Sequence, residues 1–466
     1  MGGRRAHPSE MKVAVVGAGL AGLAAACDLS DLGHTVTLIE KRPWAGGKTY
    51  SFADRKTGDL VDNGQHVFMA CTTEYAAFLG RIGTLGRTRR QRRLNVRVFG
   101  AGGRMCRLRA LPLPAPLHLA PSFAVYGHLA LGDRLRAGWL LVRIWRMSEP
   151  ERLSLHAASF GDWLSAQDQS ARAIRDFWDF MLVPTLNCRS AEASAADALF
   201  VLREGFLKNS TSSAVGLGAV PLSELHVAPA IAYIEARGGG VVTGLEVRGV
   251  EPAKGGGVAV HLSRGAAVSA HGAVLALPPG EAGCLVPGRF RTMAPFAALG
   301  DFTTAPIINL HFWFDRPIAD WPFAAFVDSE LQWVFNRDRL DTPAMPRRHH
   351  VVVSLSAAGP YMALDRGELE ARFLAQLRDA VPGARGAQLI AFNAIKEPHA
   401  TFVPAPGLLR PGPRTPIPGI VLAGSYTGTG WPATMEGAVR SGVTAARELD
   451  VQLKASETPS DESGGV

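Results

Sequence analysis

The chain has 466 residues, of which 47% are hydrophobic and 19% charged, and its formal net charge is +8. This length and apolar content suit two or three domains with large buried cores. The few cysteines are widely spaced and contain no CxxC pair, which excludes a disulfide framework and a zinc site. We therefore expect no metal and a reducing, cytoplasmic environment.

The first predicted element is a buried strand that leads into a glycine-rich turn, VAVVGAGLAGL, at Val13–Leu23, followed by an alanine-rich helix. Gly17 permits a tight turn, Gly19 lets the backbone approach a pyrophosphate, and Gly22 lets the helix pack on the strand. Phosphate charge would then lie at the positive end of the helix. This order of elements predicts a dinucleotide-binding unit.

A second predicted strand, Thr35–Ile39, ends at Glu40, about 20 residues after the glycine turn. A carboxylate at that position accepts hydrogen bonds from a ribose 2′-hydroxyl. FAD and NAD both place ADP on this surface, so the unit alone does not distinguish them. The next residues, KRPWAGGK, bring Arg42, Gly46 and Gly47 directly after the acid.

Near the other end of the chain, LAGSYTGTGWPATMEGAVRSG at Leu422–Gly442 predicts another strand-to-helix turn. We expect the strand at Gly419–Ala423 and the helix at Val439–Leu449. Free backbone amides at such a helix start can contact a pyrophosphate or the carbonyl edge of a flavin. The two glycine-rich segments therefore predict one cofactor held by both ends of the chain.

These two segments, together with VDNGQH at Val61–His66, resemble the flavin amine oxidase and phytoene desaturase superfamily. PIINLH, QWVF and KEPHATF in the middle of the chain narrow the resemblance to the hydroxysqualene dehydroxylase family, also described as squalene-associated FAD-dependent desaturases. The resemblance implies FAD as the cofactor. Its expected contacts are Gly17, Gly19, Gly22, Glu40, Arg42, Gly46, Gly47, Val247, Gly424, Ser425, Pro432, Ala433 and Met435. Ser425 stands where relatives usually carry an acid, and Lys48 where many have a second arginine.

The implied fold is α/β: a discontinuous Rossmann-like FAD-binding domain of the GR2 type with an inserted α+β substrate domain, which has a mixed sheet and helices. We expect the FAD-binding domain at 11–108, 208–294 and 392–452. The substrate domain then comprises a helical, membrane-associating part at 109–207 and a sheet at 295–391. The tails, 1–10 and 453–466, are predicted to be disordered, and 1–10 lacks the apolar core of a signal peptide.

The positive charge is concentrated in Arg81–Arg109, which contains ten arginines and no acid. The following segment, Ala110–Gly132, has no charged residue but four prolines, which would leave carbonyls unpaired in lipid and exclude a membrane-spanning helix. The arginine band, this segment and a helix at Arg134–Met147 predict a peripheral surface on anionic lipid, at the inner face of the membrane. A solvated arginine face is the alternative, and nucleic-acid binding is not expected.

The resemblance implies reduction of hydroxysqualene to squalene, in squalene and hopanoid biosynthesis, by hydride from reduced flavin. An acid must help the hydroxyl leave, and the catalytic candidates are His66, Asp62 and Glu436. The chain has no second complete GxGxxG, so we expect NADPH to bind transiently or another reductase to supply electrons. Upstream squalene-pathway enzymes are candidate partners. A phytoene-type desaturase, a flavin amine oxidase and a non-catalytic lipid carrier remain as alternatives.

Overall fold

A computed structural model describes residues 11–342 and 348–457. The predicted tail at 1–10 and residues 458–466 of the other tail lie outside the described residues. Residues 453–457 were predicted to be disordered with that tail, but they continue the last helix, Met435–Glu457. The prediction was wrong there because Leu453 packs into the core beside this helix's other apolar residues.

The described strands follow the chain as β1 (Lys12–Val16), β2 (Thr35–Ile39), β3 (Ser51–Ala53), β4 (Leu60–Asp62), β5 (Val67–Met69), β6 (Thr88–Arg90), β7 (Asn95–Phe99), β8 (Met105–Arg109), β9 (Val215–Gly218), β10 (Gly240–Val242), β11 (Val247–Pro252), β12 (Val258–Leu262), β13 (Ala267–Ala270), β14 (Gly272–Leu275), β15 (Thr304–Phe314), β16 (Phe323–Phe326), β17 (Trp333–Asn336), β18 (His350–Leu355), β19 (Leu389–Phe402) and β20 (Ile420–Leu422).

The described α-helices are α1 (Leu20–Asp31), α2 (Thr73–Arg81), α3 (Ala120–Ala124), α4 (Leu131–Arg146), α5 (Glu149–Ser154), α6 (Phe160–Ser165), α7 (Ala171–Ala173), α8 (Phe180–Leu186), α9 (Ala195–Val201), α10 (Ala228–Glu235), α11 (Pro279–Cys284), α12 (Gly288–Arg291), α13 (Arg337–Leu340), α14 (Arg366–Ala380) and α15 (Met435–Glu457). Three π-helical segments adjoin them, at Ile174–Asp179, Leu202–Leu207 and Ser223–Val227.

A five-stranded parallel sheet, in the order β10-β2-β1-β14-β20, forms the nucleotide-binding half of the fold. Its strands are apolar on both faces, as parallel strands covered on two sides require. In β1, Val13 and Val15 enter the core under α1 and α15, whereas Ala14 and Val16 enter the core beneath the antiparallel sheet β11-β12-β13. This period of two explains why a short apolar run forms a strand here.

A seven-stranded mixed sheet, in the order β19-β15-β18-β17-β16-β7-β8, forms the other half. One face packs on α14 through Leu310, Phe312 and neighbouring apolar residues. The opposite face carries Phe323 and Phe335 into a core that it shares with the helices between residues 120 and 207. The sheet therefore separates two cores, and only the second lies against the helical layer.

The sheet pairing differs from two of the predicted domain boundaries. The hairpin β7–β8 was assigned to the nucleotide-binding part at 11–108, but Val98 pairs with Ala325 of β16 and extends the mixed sheet. Strand β19 continues through Phe402, beyond the boundary predicted at residue 391, because it pairs with β15 as far as Thr304. Both differences come from the pairing of strands that are far apart in the chain. The sequence around one strand does not indicate which distant strand it pairs with.

Helices α1 and α15 touch through glycine, and this contact can be tested by Gly442→Ala. A β-carbon at residue 442 would lie 2.2 Å from the carbonyl oxygen of Ala21, so the helices would have to separate. We expect the free energy of unfolding to fall by about 1–3 kcal/mol, as for other overpacked cores. Thermal unfolding measures this loss. Gly80→Ala in α2 is the control, since a β-carbon there meets nothing within 4 Å and should not destabilise the protein.

Candidate active site

Two helix starts meet at one edge of the parallel sheet. Helix α1 follows β1 and helix α15 follows β20, and the two strands run in the same direction. Both helices therefore begin at the carboxyl edge, with their free N–H groups and positive dipole ends directed there. This edge is the usual ligand position in open α/β sheets and favours an anion such as a pyrophosphate.

The first glycine turn contains close backbone contacts that exclude side chains. Gly17 has a φ of +99°, and a β-carbon there would lie 2.4 Å from the carbonyl oxygen of Ala276. A β-carbon at Gly22 would lie 1.8 Å from the carbonyl oxygen of Gly17. At Gly19, by contrast, the nearest atom to such a carbon is the Cα of Gly47 at 4.0 Å. The turn is therefore closely packed at Gly17 and Gly22 but has free space at Gly19. This space fits a phosphate that approaches the Gly19 backbone.

Glu40 lies beside this turn and is almost completely buried. Its Oε2 accepts a hydrogen bond of 2.9 Å from the backbone N–H of Ala18, and its Oε1 accepts one of 2.9 Å from that of Arg42. Each oxygen keeps a lone pair that a ribose hydroxyl can use. Leu245 donates its N–H to the carbonyl of Glu40 at 3.1 Å, which brings the segment before Val247 to the same edge.

The Gly46–Gly47 segment is held by the two basic residues around it. Arg42 reaches the carbonyl of Gly47 at 3.4 Å, and Lys48 Nζ donates to the carbonyl of Ala400 at 2.8 Å and also to that of His399. Burial lowers the pKa of Lys48. The lysine thus ties this segment to strand β19 of the mixed sheet, so the two halves of the fold meet beside the glycines.

Arg410 braces the second glycine-rich loop and was missed by the sequence analysis. Its guanidinium donates to the carbonyls of Ser425 at 2.7 Å and Thr427 at 2.6 Å. Gly424 has a φ of +146° and donates its N–H to Ser441 Oγ at 2.9 Å. The loop is therefore fixed at both sides without an acid at position 425. A lone arginine before a predicted strand gives no signal of this role.

The other predicted contacts of this loop lie at the start of α15. Pro432 is buried, while Ala433 and Met435 are half-buried just before and at the first residue of the helix. The N–H of Thr434 bonds the carbonyl of Pro432 at 2.7 Å. The chain thus enters the helix through a compact turn, with its first amides at the sheet edge described above.

Glu436 is directed towards another helix. Its carboxylate is fully buried and accepts hydrogen bonds from the backbone N–H groups of Glu74 at 3.2 Å and Tyr75 at 2.7 Å. Arg440 pairs with it at 2.6 Å. These partners hold the carboxylate at the start of α2. Its contacts join α15 to α2.

Asp62 and His66 occupy the two ends of the VDNGQH segment. Asp62 Oδ1 accepts from Ser51 Oγ at 2.7 Å and from the N–H of Leu222 at 2.9 Å. His66 Nδ1 lies 2.9 Å from the carbonyl of Gly64, and because a carbonyl only accepts, this nitrogen carries the proton. Burial lowers the pKa of His66, so Nε2 of the neutral ring is an acceptor.

Asn309 contacts the VDNGQH segment, and His311 follows Asn309 two residues later on β15. Neither was among the predicted site residues. Asn309 Oδ1 accepts from the N–H of Gln65 at 3.2 Å, and both Asn309 and His311 are buried. They alternate with Ile308 and Leu310, which fill the core on the other face of β15. Polar residues at every second position of an apolar strand were the available signal, since period two places them on one face.

Comparison with known proteins identifies the class of fold first. The structure resembles putrescine oxidase, with a TM-score of 0.70 and 20% identity over 95% of this chain and 99% of that one. It also resembles an oxidoreductase from Methanosarcina mazei, with a TM-score of 0.69 and 18% identity over 94% of this chain and all of that one. The fold is that of the flavin-dependent amine oxidases.

The family model for flavin containing amine oxidoreductases matches residues 20–450. The chain belongs to this family and is a flavin-dependent oxidoreductase. It is 31% identical to hydroxysqualene dehydroxylase of Rhodopseudomonas palustris, over 93% of this chain and 97% of the relative. It is also 26% identical to a probable zeta-carotene desaturase of Synechococcus elongatus, over 94% and 98% of the two chains. These findings confirm the superfamily and α/β fold predicted from the sequence.

The family implies FAD, and the site fits it. The open backbone at Gly19, the two helix starts and the lone pairs of Glu40 suit a dinucleotide's phosphates and ribose. We propose that the predicted contacts around Gly17–Gly22, Gly46–Gly47 and Gly424–Met435 hold this cofactor.

Replacing Glu40 by Gln tests the ribose contact. We expect FAD affinity to fall roughly 10- to 100-fold, because a hydrogen bond to a charged group contributes about 1.5–3 kcal/mol. The measurement is the dissociation constant of FAD after reconstitution of the apoprotein. Glu281→Gln is the control, since Glu281 is exposed and pairs with Lys41 on the surface. Equal affinity in the Glu40 variant and the control would contradict the assignment.

Proposed function

We propose that this protein reduces hydroxysqualene to squalene with FAD as its cofactor. The observation that carries the proposal is the similarity, over nearly the full length of both chains, to the hydroxysqualene dehydroxylase of Rhodopseudomonas palustris. A relative of the same name from Sinorhizobium fredii is 29% identical over 93% of this chain and 97% of its own length.

An aromatic layer beside the candidate site supports an apolar substrate. Phe323, Trp333 and Phe335 lie on the face of the mixed sheet that meets the helices, where Phe180 stacks on Trp333 with ring centroids 6.0 Å apart. Of the aromatic residues crowded in this part of the sequence, Phe312, Phe314, Trp321 and Phe326 fill the opposite core under α14. The layer facing the helices is the region in which we place a long hydrocarbon chain.

When reduced and bound, the flavin supplies a hydride for the carbon that loses the hydroxyl group. The protein must orient the alcohol, exclude water from the cationic carbon and provide the proton with which oxygen leaves. The aromatic layer suits the exclusion of water. NADPH, bound transiently, is proposed as the electron donor.

The function is tested by mixing dithionite-reduced protein with hydroxysqualene in detergent without oxygen. We expect the flavin absorbance of the oxidised state to return while squalene forms in equal amount, because each turnover consumes one two-electron equivalent. Protein from which FAD has been removed is the control. Reduced flavin that persists, with no squalene in the extract, would contradict the proposal.

A second candidate is a polyprenoid desaturase. It is favoured by the similarity to the zeta-carotene desaturase and to a 26% identical 15-cis-phytoene desaturase, both of Synechococcus elongatus. A desaturation starts from oxidised flavin. The test therefore mixes the oxidised protein with phytoene or zeta-carotene. Reduction of the flavin with gain of a double bond would assign the desaturase instead.

We further propose that helix α4 lies on an anionic membrane surface. Residues Ala137, Leu140 and Ile144 are buried against the helical core, yet the opposite side of the helix is also apolar. With about 100° per residue, the exposed side chains form one stripe. This α4 stripe comprises Leu131, Leu135, Trp139, Val142 and Trp145, and Leu117 and Val125 are exposed in the preceding segment.

Charge supports a lipid surface as the occupant of the α4 stripe. The helix has four arginines, at 134, 136, 143 and 146, against the single acid Asp133. The predicted arginine band is less continuous than expected, since Arg81 pairs with Asp28 and Arg97 with Asp320. Among the residues that the structure describes, no helix is long and apolar enough to cross a membrane. The stripe suits a helix lying in the interface.

Leu135→Glu with Trp139→Glu tests this surface. We expect binding to vesicles of phosphatidylglycerol and phosphatidylcholine to weaken at least tenfold, because burying one large apolar side chain contributes about 1.5–3 kcal/mol. Co-sedimentation measures it. Leu409→Glu, at another exposed apolar residue, is the control. Unchanged binding of the double variant would show that lipid contacts another surface.

A further inference from the structure

A small polar cavity of about 20 Å³ lies between the mixed sheet and the VDNGQH segment. Its polar side chains come from three parts of the chain: Asp62 and Gln65 from the segment, His311 and His350 from β15 and β18, and Arg337 and Asp341 from α13 and the residue that follows it. This volume is sufficient for one water molecule or one hydroxyl group.

The two histidines leave one hydrogen-bonding atom unused. His311 Nδ1 and His350 Nε2 are 3.0 Å apart, and both rings are buried. Burial, with the nearby charge of Arg337, lowers the pKa of His311 to about 3 and lowers that of His350 strongly. Both rings are therefore neutral near pH 7. Nε2 of His311 has no partner within the described ranges, and its residue lines the cavity.

Asp341 supplies a carboxyl group at the same cavity. Arg337 pairs with Asp341 and also donates to Gln65 Oε1 at 3.2 Å. Despite this cation, burial, together with the nearby carboxylates of Asp62 and Asp338, raises the pKa of Asp341 to about 6. A substantial fraction of this carboxyl group is therefore protonated just below neutral pH.

The cavity adjoins both parts of the proposed reaction site. Asp62 on its wall holds the N–H of Leu222, and the helical segment that starts there brings Val227 against Gly46. On the other side, Val352 lines the cavity and also belongs to the core that contains the aromatic layer. The cavity and the core that contains the aromatic layer thus share Val352.

We propose that this cavity receives the hydroxyl group of the isoprenoid alcohol, and that Asp341 donates the proton with which its oxygen leaves as water. The proposal rests on the dehydroxylase function. The C–O bond would break, oxygen would keep the electron pair and take the Asp341 proton, and the carbon would take the hydride that reduced flavin supplies when bound. Solvent then reprotonates Asp341. Glu436 and Asp62 accept hydrogen bonds from backbone N–H groups, Asp341 pairs with the Arg337 side chain, and the Nδ1–H of His66 faces the carbonyl of Gly64.

The proton donor is tested by Asp341→Asn in single turnovers of the reduced protein. We expect reoxidation by hydroxysqualene to slow at least 100-fold, in the range of general-acid catalysis. The wild-type rate should fall about tenfold per pH unit above pH 6, because the carboxyl loses its proton, whereas the variant should show no such dependence. Asp341→Glu should restore part of the rate. Asp320→Asn, at an exposed carboxylate, is the control.

Binding to the oxidised protein gives a readout without turnover. Perturbation of the flavin spectrum should show tighter binding of hydroxysqualene than of squalene, and His311→Phe should remove that preference. A wild-type protein that forms no squalene would overturn the function itself. A wild-type protein that does, with an Asp341→Asn variant of equal rate and pH profile, would overturn only the assignment of the acid. If the His311 variant still binds hydroxysqualene more tightly than squalene, the proposed position of the hydroxyl group in this cavity would be wrong.

Discussion

The contact between α1 and α15 is the constraint on which the rest of the fold depends. Gly442 meets the backbone of Ala21, and Gly22 meets that of Gly17, so these helices and strands approach more closely than side chains would permit. This approach places two helix starts from opposite ends of the chain at one sheet edge. Everything between them must leave that edge and return to it, which is why the nucleotide-binding half is discontinuous.

The two faces of the mixed sheet have different surroundings. One face is closed by α14 and is purely structural, whereas the other meets a layer of short helices and π-helical turns. Asn309 and His311 lie on the part of this second face that approaches Gly64 and Gln65. An apolar layer and a polar cavity that share Val352 are the two environments that the proposed isoprenoid alcohol would require.

Glu436, Asp62 and Asp341 differ in what surrounds their carboxyl groups. Glu436 and Asp62 accept hydrogen bonds from backbone N–H groups, and these bonds join separate segments of the chain. Asp341 pairs with the cation of Arg337, but its carboxyl group is removed from solvent and lies near other carboxylates. An acidic residue within a motif can thus join separate segments of the chain, while the acid that we propose, Asp341, lies outside the motif.

The sequence by itself determined the features that depend on neighbouring residues: the strand, glycine turn and helix at Val13–Leu32, the acid at Glu40, and the second turn at Leu422–Gly442. These features were sufficient for the α/β class and the flavoprotein superfamily. Only the tertiary structure decided the pairing of β7 with β16, the grip of Arg410 on its loop, and the meeting of His311, His350 and Asp341. Those contacts join residues far apart in the chain, so burial and hydrogen-bond partners, which set their chemistry, exist only after folding.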